Sequence, residues 1–191
     1  NCHNMIENKN YLLKAAATYG LSLGIYWIIK YMFFIFGLQV PFLYVVYWGM
    51  TMTVPYLAYI LTKKYKQYIG GRISFFHAWQ FGILIYFFAA LVVSLVHYIF
   101  YRFIAPPDYI ANAYKQTIEM MTMANVDAKL ISTLKDMATP TSIGMTIQGI
   151  FNNVMYGIIF SIPVAAIVCR GYKSAGALNK EDKENTDNTI E

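Results

Sequence analysis

The chain carries few groups able to do chemistry, and their placement says more than their number. Its ten acidic residues stand at Glu7, Asp108, Glu119, Asp127 and Asp136, with the rest beyond position 180. None falls inside a long apolar run, which removes the paired carboxylates that serve most often as general acid and base. It also removes the membrane carboxylate expected of a proton-coupled transporter or a cation site. No HExxH, Walker A loop or GxSxG motif is present. Cys2 and Cys169 have no metal-ligand spacing, and two cysteines do not make a disulfide framework. His77 and His97 lack acidic partners within the runs. The expectation is a protein with no catalytic set, no cofactor and no metal, which is not an enzyme.

The ionisable groups that do lie deep in apolar sequence are basic. Lys30, His97 and Arg102 fall in the same halves of their runs. Lys30 lies about eight residues, or about 12 Å, from the nearer end at 1.5 Å per helical residue. A cation at that depth needs a reason. One reason is an anionic headgroup, with Asn152 and Asn153 of the last run adding hydrogen bonds. The plainer account is that Lys30 and Arg102 snorkel to the surface and that His97 is a packed, hydrogen-bonded core residue. A separate basic stretch, 63–72, holds Lys63, Lys64, Lys66 and Arg72. It reads as a membrane-surface loop that sets topology and touches anionic lipid; docking of a soluble partner is the other reading.

The elements that position these groups follow from composition. Of 191 residues, 58% are hydrophobic and only 13% charged; mean hydropathy is +0.42. Charges cluster between runs, a distribution that excludes a soluble core with a polar shell. The net charge of +5 does not point to nucleic acid, because the basic residues flank apolar runs instead of forming a face. Four runs, at about 14–38, 40–62, 76–104 and 143–169, are long enough to cross a bilayer core of about 30 Å as helices. The fold class expected is all-α: a polytopic membrane protein of four transmembrane helices. Gly20 and Gly24 share one helix face and allow close approach of a second helix or a second copy. Pro55 and Pro163 interrupt runs two and four as bending points, with Thr51 and Thr53 upstream of Pro55 available to freed carbonyls.

Segment 106–140 differs in kind. Ile110, Tyr114, Ile118 and Met121, then Leu130, Ile131, Leu134 and Met137, recur at helical spacing among charges. Two amphipathic helices with a turn near Ala124-Asn125 are expected, too polar to span. Basic residues near span ends, Lys9, Lys14, Lys63, Lys64, Lys66, Arg72, Arg170 and Lys173, place residues 1–10, the basic stretch and the tail 173–191 in the cytoplasm. The hairpin 106–140 then lies outside, and the tail is expected to be disordered. Residues 1–4, ahead of Met5, read as an upstream extension, and the first run is too long for a cleaved signal peptide.

The stretch Gly70-Gly71-Arg72-Ile73-Ser74-Phe75-Phe76-His77-Ala78-Trp79-Gln80-Phe81-Gly82 resembles a GGxISFxxAxxxG entry into a third span. With the Pro-Pro-Asp-Tyr break at 106–109 and the Met-rich segment before the last run, the chain is similar to the domain-of-unknown-function 4199 family. The resemblance covers about residues 8–172, with Gly70, Gly71, Ser74, Phe75, Ala78 and Gly82 as motif positions. It implies a small four-span inner-membrane protein of Bacteroidota and no established activity.

The functional expectation is a non-catalytic binding, scaffold or accessory subunit for envelope lipid or glycan metabolism, holding an anionic lipid headgroup. The alternative is a small transporter or lipid-translocating protein. Expected partners are membrane lipids and an envelope enzyme or a second copy of the chain, not nucleic acid.

Overall fold

The computed structural model describes residues 9–170. The expectations for the N-terminal start, Cys2, Lys173 and the tail 173–191 fall outside the described residues. Those residues form helices α1 (Lys9–Gly37), α2 (Phe42–Tyr68), α3 (Phe75–Ile99), α4 (Tyr109–Met123), α5 (Ala128–Asp136) and α6 (Ser142–Val168). A π-helical turn, Phe100–Ile104, extends α3. Among the described residues there is no strand.

Three helical segments, Tyr11–Gly37, Phe75–Ile104 and Ser142–Val168, are long and apolar enough to cross a membrane. α2 has 27 residues, as many as α6. Its tyrosines, threonines, Pro55 and C-terminal lysines hold its hydropathy below the other three.

Local chemistry sets the joints. α1 stops at Gly37, where Val40 N–H bonds to Phe36 O at 3.0 Å, and Pro41 precedes α2. The basic stretch at 63–72 is not a loop over most of its length. α2 continues to Tyr68, because Lys, Tyr and Gln all accept helical backbone. Only Gly70 and Gly71, at φ +99° and +81°, break it. They adopt the left-handed conformation that a Cβ disfavours, and Gly71 N–H closes the helix end on Lys66 O at 2.9 Å. Ser74 then caps α3 by accepting from His77 N–H at 3.3 Å, and Thr141 caps α6 by accepting from Gly144 N–H at 3.2 Å.

α3 is the central helix, packed between α1 and α6; α2 closes the side against α1 and α6. The contacts are close because small residues meet large ones. A Cβ on Gly20 would lie 2.5 Å from Phe88 Cβ, and one on Gly24 would lie 2.8 Å from Val92 Cβ. The Gly20/Gly24 face is therefore occupied by α3 of the same chain. On the other side of α3, Gly82 receives Ser161, and Gly157 of α6 receives Tyr86. α2 carries Pro55 without ending. One turn upstream, Met50 O accepts from Thr53 Oγ1 at 2.8 Å and from Tyr26 Oη at 3.0 Å.

The outward faces are apolar. Leu21, Ile25, Ile29, Met32 and Phe36 recur along α1 with 37–53% of their surface exposed. Val45, Trp48, Met52 and Tyr56 of α2 and Ile143, Ile147, Phe151 and Ile159 of α6 recur likewise, with 57–74% exposed. Stripes of this extent in water would aggregate; in lipid they are the expected solvent face.

α4 and α5 pack on each other with little inside: Ile118 and Ile131 are their buried residues. Tyr114 Oη donates to Leu134 O at 2.7 Å, and Asn125 takes the turn at φ 52°. The pair meets the bundle at Tyr109, whose ring lies 5.3 Å from that of Phe100. Burial there pushes the Tyr109 phenol up to about 12, with nearby tyrosines adding to the effect.

Candidate functional site

At the end of the bundle near the α1–α2 turn, the helices leave a cavity of about 250 Å³. α1 contributes Lys30 with Trp27, Tyr31 and Phe34, a single face at i−3, i+1 and i+4. α2 contributes Tyr47. α3 and its π turn contribute Val93, His97 and Tyr101, and α6 contributes Gly149, Asn152 and Asn153. Lys30, His97, Asn152 and Asn153, distant in sequence, thus line one space. Arg102 does not join them: it is exposed, one position past the face shared by His97 and Tyr101.

Lys30 is half-buried, and no carboxylate lines the cavity among the described residues. Its charge lies over aromatic faces instead, with Nζ 5.7 Å from the centre of the Trp27 ring and 5.1 Å from that of Tyr47. Such contacts contribute about 0.5–2 kcal/mol each and leave the ammonium donors unsatisfied. Two more donors share the space. The Trp27 indole N–H is buried with no hydrogen-bond partner among the described residues; the Tyr31 hydroxyl, also buried, lies within reach of the Tyr101 hydroxyl. A buried polar atom without a partner costs about 1–3 kcal/mol, so the indole N–H beside a lysine asks for an acceptor. Asn152 Oδ1 accepts from Gln148 Nε2 at 2.9 Å, which turns the Asn152 amide N–H groups outward as further donors. The Tyr31 and His97 rings meet edge to face at 4.2 Å, so packing orients the imidazole. Gly149 leaves room beside it: a Cβ there would lie 3.5 Å from His97 Nδ1.

The aromatic wall was not singled out from the sequence. The signal was present in Trp27, Lys30, Tyr31 and Phe34 on one helical face, but aromatic residues are common enough along these helices to hide it.

At the opposite end, the basic residues divide. Lys63, Lys64 and Arg72 are exposed, and Lys63 lies 6.0 Å from the Tyr59 ring centre. Lys66 is committed elsewhere. Its ammonium donates to Val168 O at 2.7 Å and Arg170 O at 3.2 Å, capping the negative end of α6. The motif residues surround this junction. Ile73, Ala78 and Phe81 are buried, and Phe75 packs against the core. His77 Nε2 meets Tyr65 Oη at 2.8 Å, and the Tyr65 ring stacks on Phe81 at 4.0 Å. Trp79 Nε1 donates to Ile158 O at 3.1 Å, tying α3 to α6 near Pro163. The motif is thus a joint between helices, apart from the cavity.

Fold and site together define an all-helical protein with membrane-type helices and a cation-bearing cavity among them. The family model described as "Protein of unknown function (DUF4199)" matches residues 18–170, and the chain belongs to that family. No curated protein and no solved structure matches it.

Proposed function

We propose that this protein is a non-catalytic, four-span inner-membrane protein that binds an anionic lipid headgroup in the cavity around Lys30. In this reading α2 is the fourth span. Its length of 27 residues corresponds to about 40 Å, and its outward face is Val45, Trp48, Met52 and Tyr56. The basic end of α2 faces the cytoplasm with both termini. The cavity then lies in the outer leaflet half, and the segment 106–140 lies outside the membrane. There it serves as the contact for an envelope enzyme that uses or makes such lipids.

One observation carries the proposal. A half-buried lysine lines a cavity beside the orphaned Trp27 indole N–H, with no carboxylate among the described residues. A charge in that setting is stable when an anion completes it. The middle of the bundle, where Gly82 meets Ser161 and Gly157 meets Tyr86, is packed too closely to favour the alternative of a membrane-crossing path.

The test is lipid mass spectrometry on protein purified in mild detergent, wild type against Lys30→Met. The wild type retains anionic lipid in stoichiometric amount, and the variant loses it. Equal anionic lipid in both would overturn the proposal.

A further inference from the structure

Resting on that reading, we infer that the occupant is a lipid with a compact phosphate-ester headgroup bearing no cation, and that it enters sideways between α2 and α6, past Asn152.

The donor set names the chemistry. Lys30 offers an ammonium, and the Trp27 indole, only 4% exposed, offers an N–H group without a partner among the described residues. Asn152 adds amide N–H groups from α6, since Gln148 occupies its oxygen. Donors converging from two helices suit a tetrahedral oxyanion better than a planar carboxylate with two oxygens. A headgroup carrying its own ammonium is excluded by the same walls. No carboxylate would hold it, and Lys30 already lies over the Trp27 and Tyr47 rings, the faces that would otherwise cage a quaternary amine.

Size narrows the class. A cavity of 250 Å³ equals about eight waters at about 30 Å³ each. It falls short of the roughly 300–1,000 Å³ that encloses a whole small ligand. It fits a phosphate and a few further atoms, so acyl chains must remain outside.

The way out follows from exposure. Trp27, Tyr31 and Val93 close the α1 and α3 sides, being 2–6% exposed. Asn152, by contrast, lines the cavity and is exposed. On the outward faces of α2 and α6, Trp48, Phe151 and Tyr156 are exposed by 56–59% and offer apolar surface to acyl chains. Gly149 faces His97 of α3, and a side chain there would project into the cavity.

The test uses the full chain in phosphatidylcholine nanodiscs doped with one competitor lipid, read by native mass spectrometry. Phosphatidic acid and phosphatidylglycerol are expected to be retained at least tenfold over phosphatidylethanolamine, and phosphatidylinositol to fall to the phosphatidylethanolamine level. Inorganic phosphate at millimolar concentration is expected not to displace the lipid. Gly149→Leu is expected to lose retention at least tenfold, while Gly149→Ala keeps it. Because Gly149→Leu could disturb folding, the opening beside Asn152 is also blocked after folding. Tyr156→Cys, one turn from Asn152 and outside the donor set, with Cys2 and Cys169 replaced by Ser, is alkylated with a bulky maleimide and compared with its unlabelled form; labelling is expected to remove the lipid. Equal retention of phosphatidylinositol and phosphatidylglycerol, displacement by inorganic phosphate, or retention after labelling would overturn this inference while leaving anionic-lipid binding intact. Absence of any preference for anionic lipid over phosphatidylethanolamine would overturn the binding reading itself.

Discussion

Replacing Gly82 by Ala tests whether the bundle is as closely packed as described. A methyl group there would sit 2.6 Å from Ser161 Cβ, about 0.9–1.4 Å inside the usual carbon–carbon contact of about 3.5–4.0 Å. α3 and α6 must separate or Ser161 must leave its position. Overpacking of this kind costs about 1–3 kcal/mol, against a helix-propensity gain of up to about 1 kcal/mol for Ala over Gly. The net expectation is a loss of up to about 2 kcal/mol, which in a chain of this size lowers the melting temperature by up to about 8 °C. Gly49 is the control. A Cβ there meets nothing within 4 Å, so Gly49→Ala keeps the propensity gain and is neutral or stabilising. The second control is Gly82→Ala with Ser161→Gly, which removes the clashing atoms and restores stability. Differential scanning fluorimetry in detergent reads all three. A Gly82→Ala protein as stable as Gly49→Ala would refute the close α3–α6 contact.

Other consequences are as direct. Lys66→Met removes the ammonium that caps Val168 O and Arg170 O, and it is expected to lower stability by about 1–2 kcal/mol, read as a melting-temperature shift absent in Lys64→Met. Tyr65→Phe keeps the stack on Phe81 but loses the 2.8 Å bond to His77. It should cost about 1 kcal/mol, and adding His77→Phe should cost little more, because the two share one interaction. Ser161→Ala deletes a buried hydroxyl with no partner among the described residues, so it is expected to be neutral or stabilising. Single cysteines at positions 67 and 125, in a background lacking Cys2 and Cys169, should be labelled by impermeant maleimide from opposite sides of the membrane; labelling from one side would refute the proposed orientation.

Depth along the helices was legible in the sequence. Apolar runs show where each helix lies in a bilayer, so Lys30, His97 and the Asn152–Asn153 pair could be assigned similar heights before their lateral placement was known. Lateral placement is a different matter, and there Arg102 fails. It is shallower than His97, and it stands past the face that Tyr101 shares with His97, on a π turn that nothing in Phe100–Ile104 announces. The basic stretch was misread as a loop because charge density signals exposure, and an exposed segment can still be helical when its residues tolerate helix, as Lys63 to Tyr68 do. Gly20 and Gly24 announced a close contact by spacing alone, but spacing does not name the partner, which is Phe88 and Val92 of the same chain. The orphaned Trp27 donor was invisible, since an unpaired hydrogen bond exists only once every neighbour is in place.

The most direct measurement is the distance from the Lys30 nitrogen to lipid phosphorus. Protein labelled with ¹⁵N-lysine and reconstituted with phosphatidylglycerol is examined by solid-state NMR for dephasing of lysine Nζ signals by ³¹P, with the Lys30 resonance identified by its loss in Lys30→Met. The account predicts strong dephasing of that resonance, corresponding to about 4 Å through one charge-assisted hydrogen bond. Dephasing confined to the exposed lysines, with Lys30 unaffected, would contradict it.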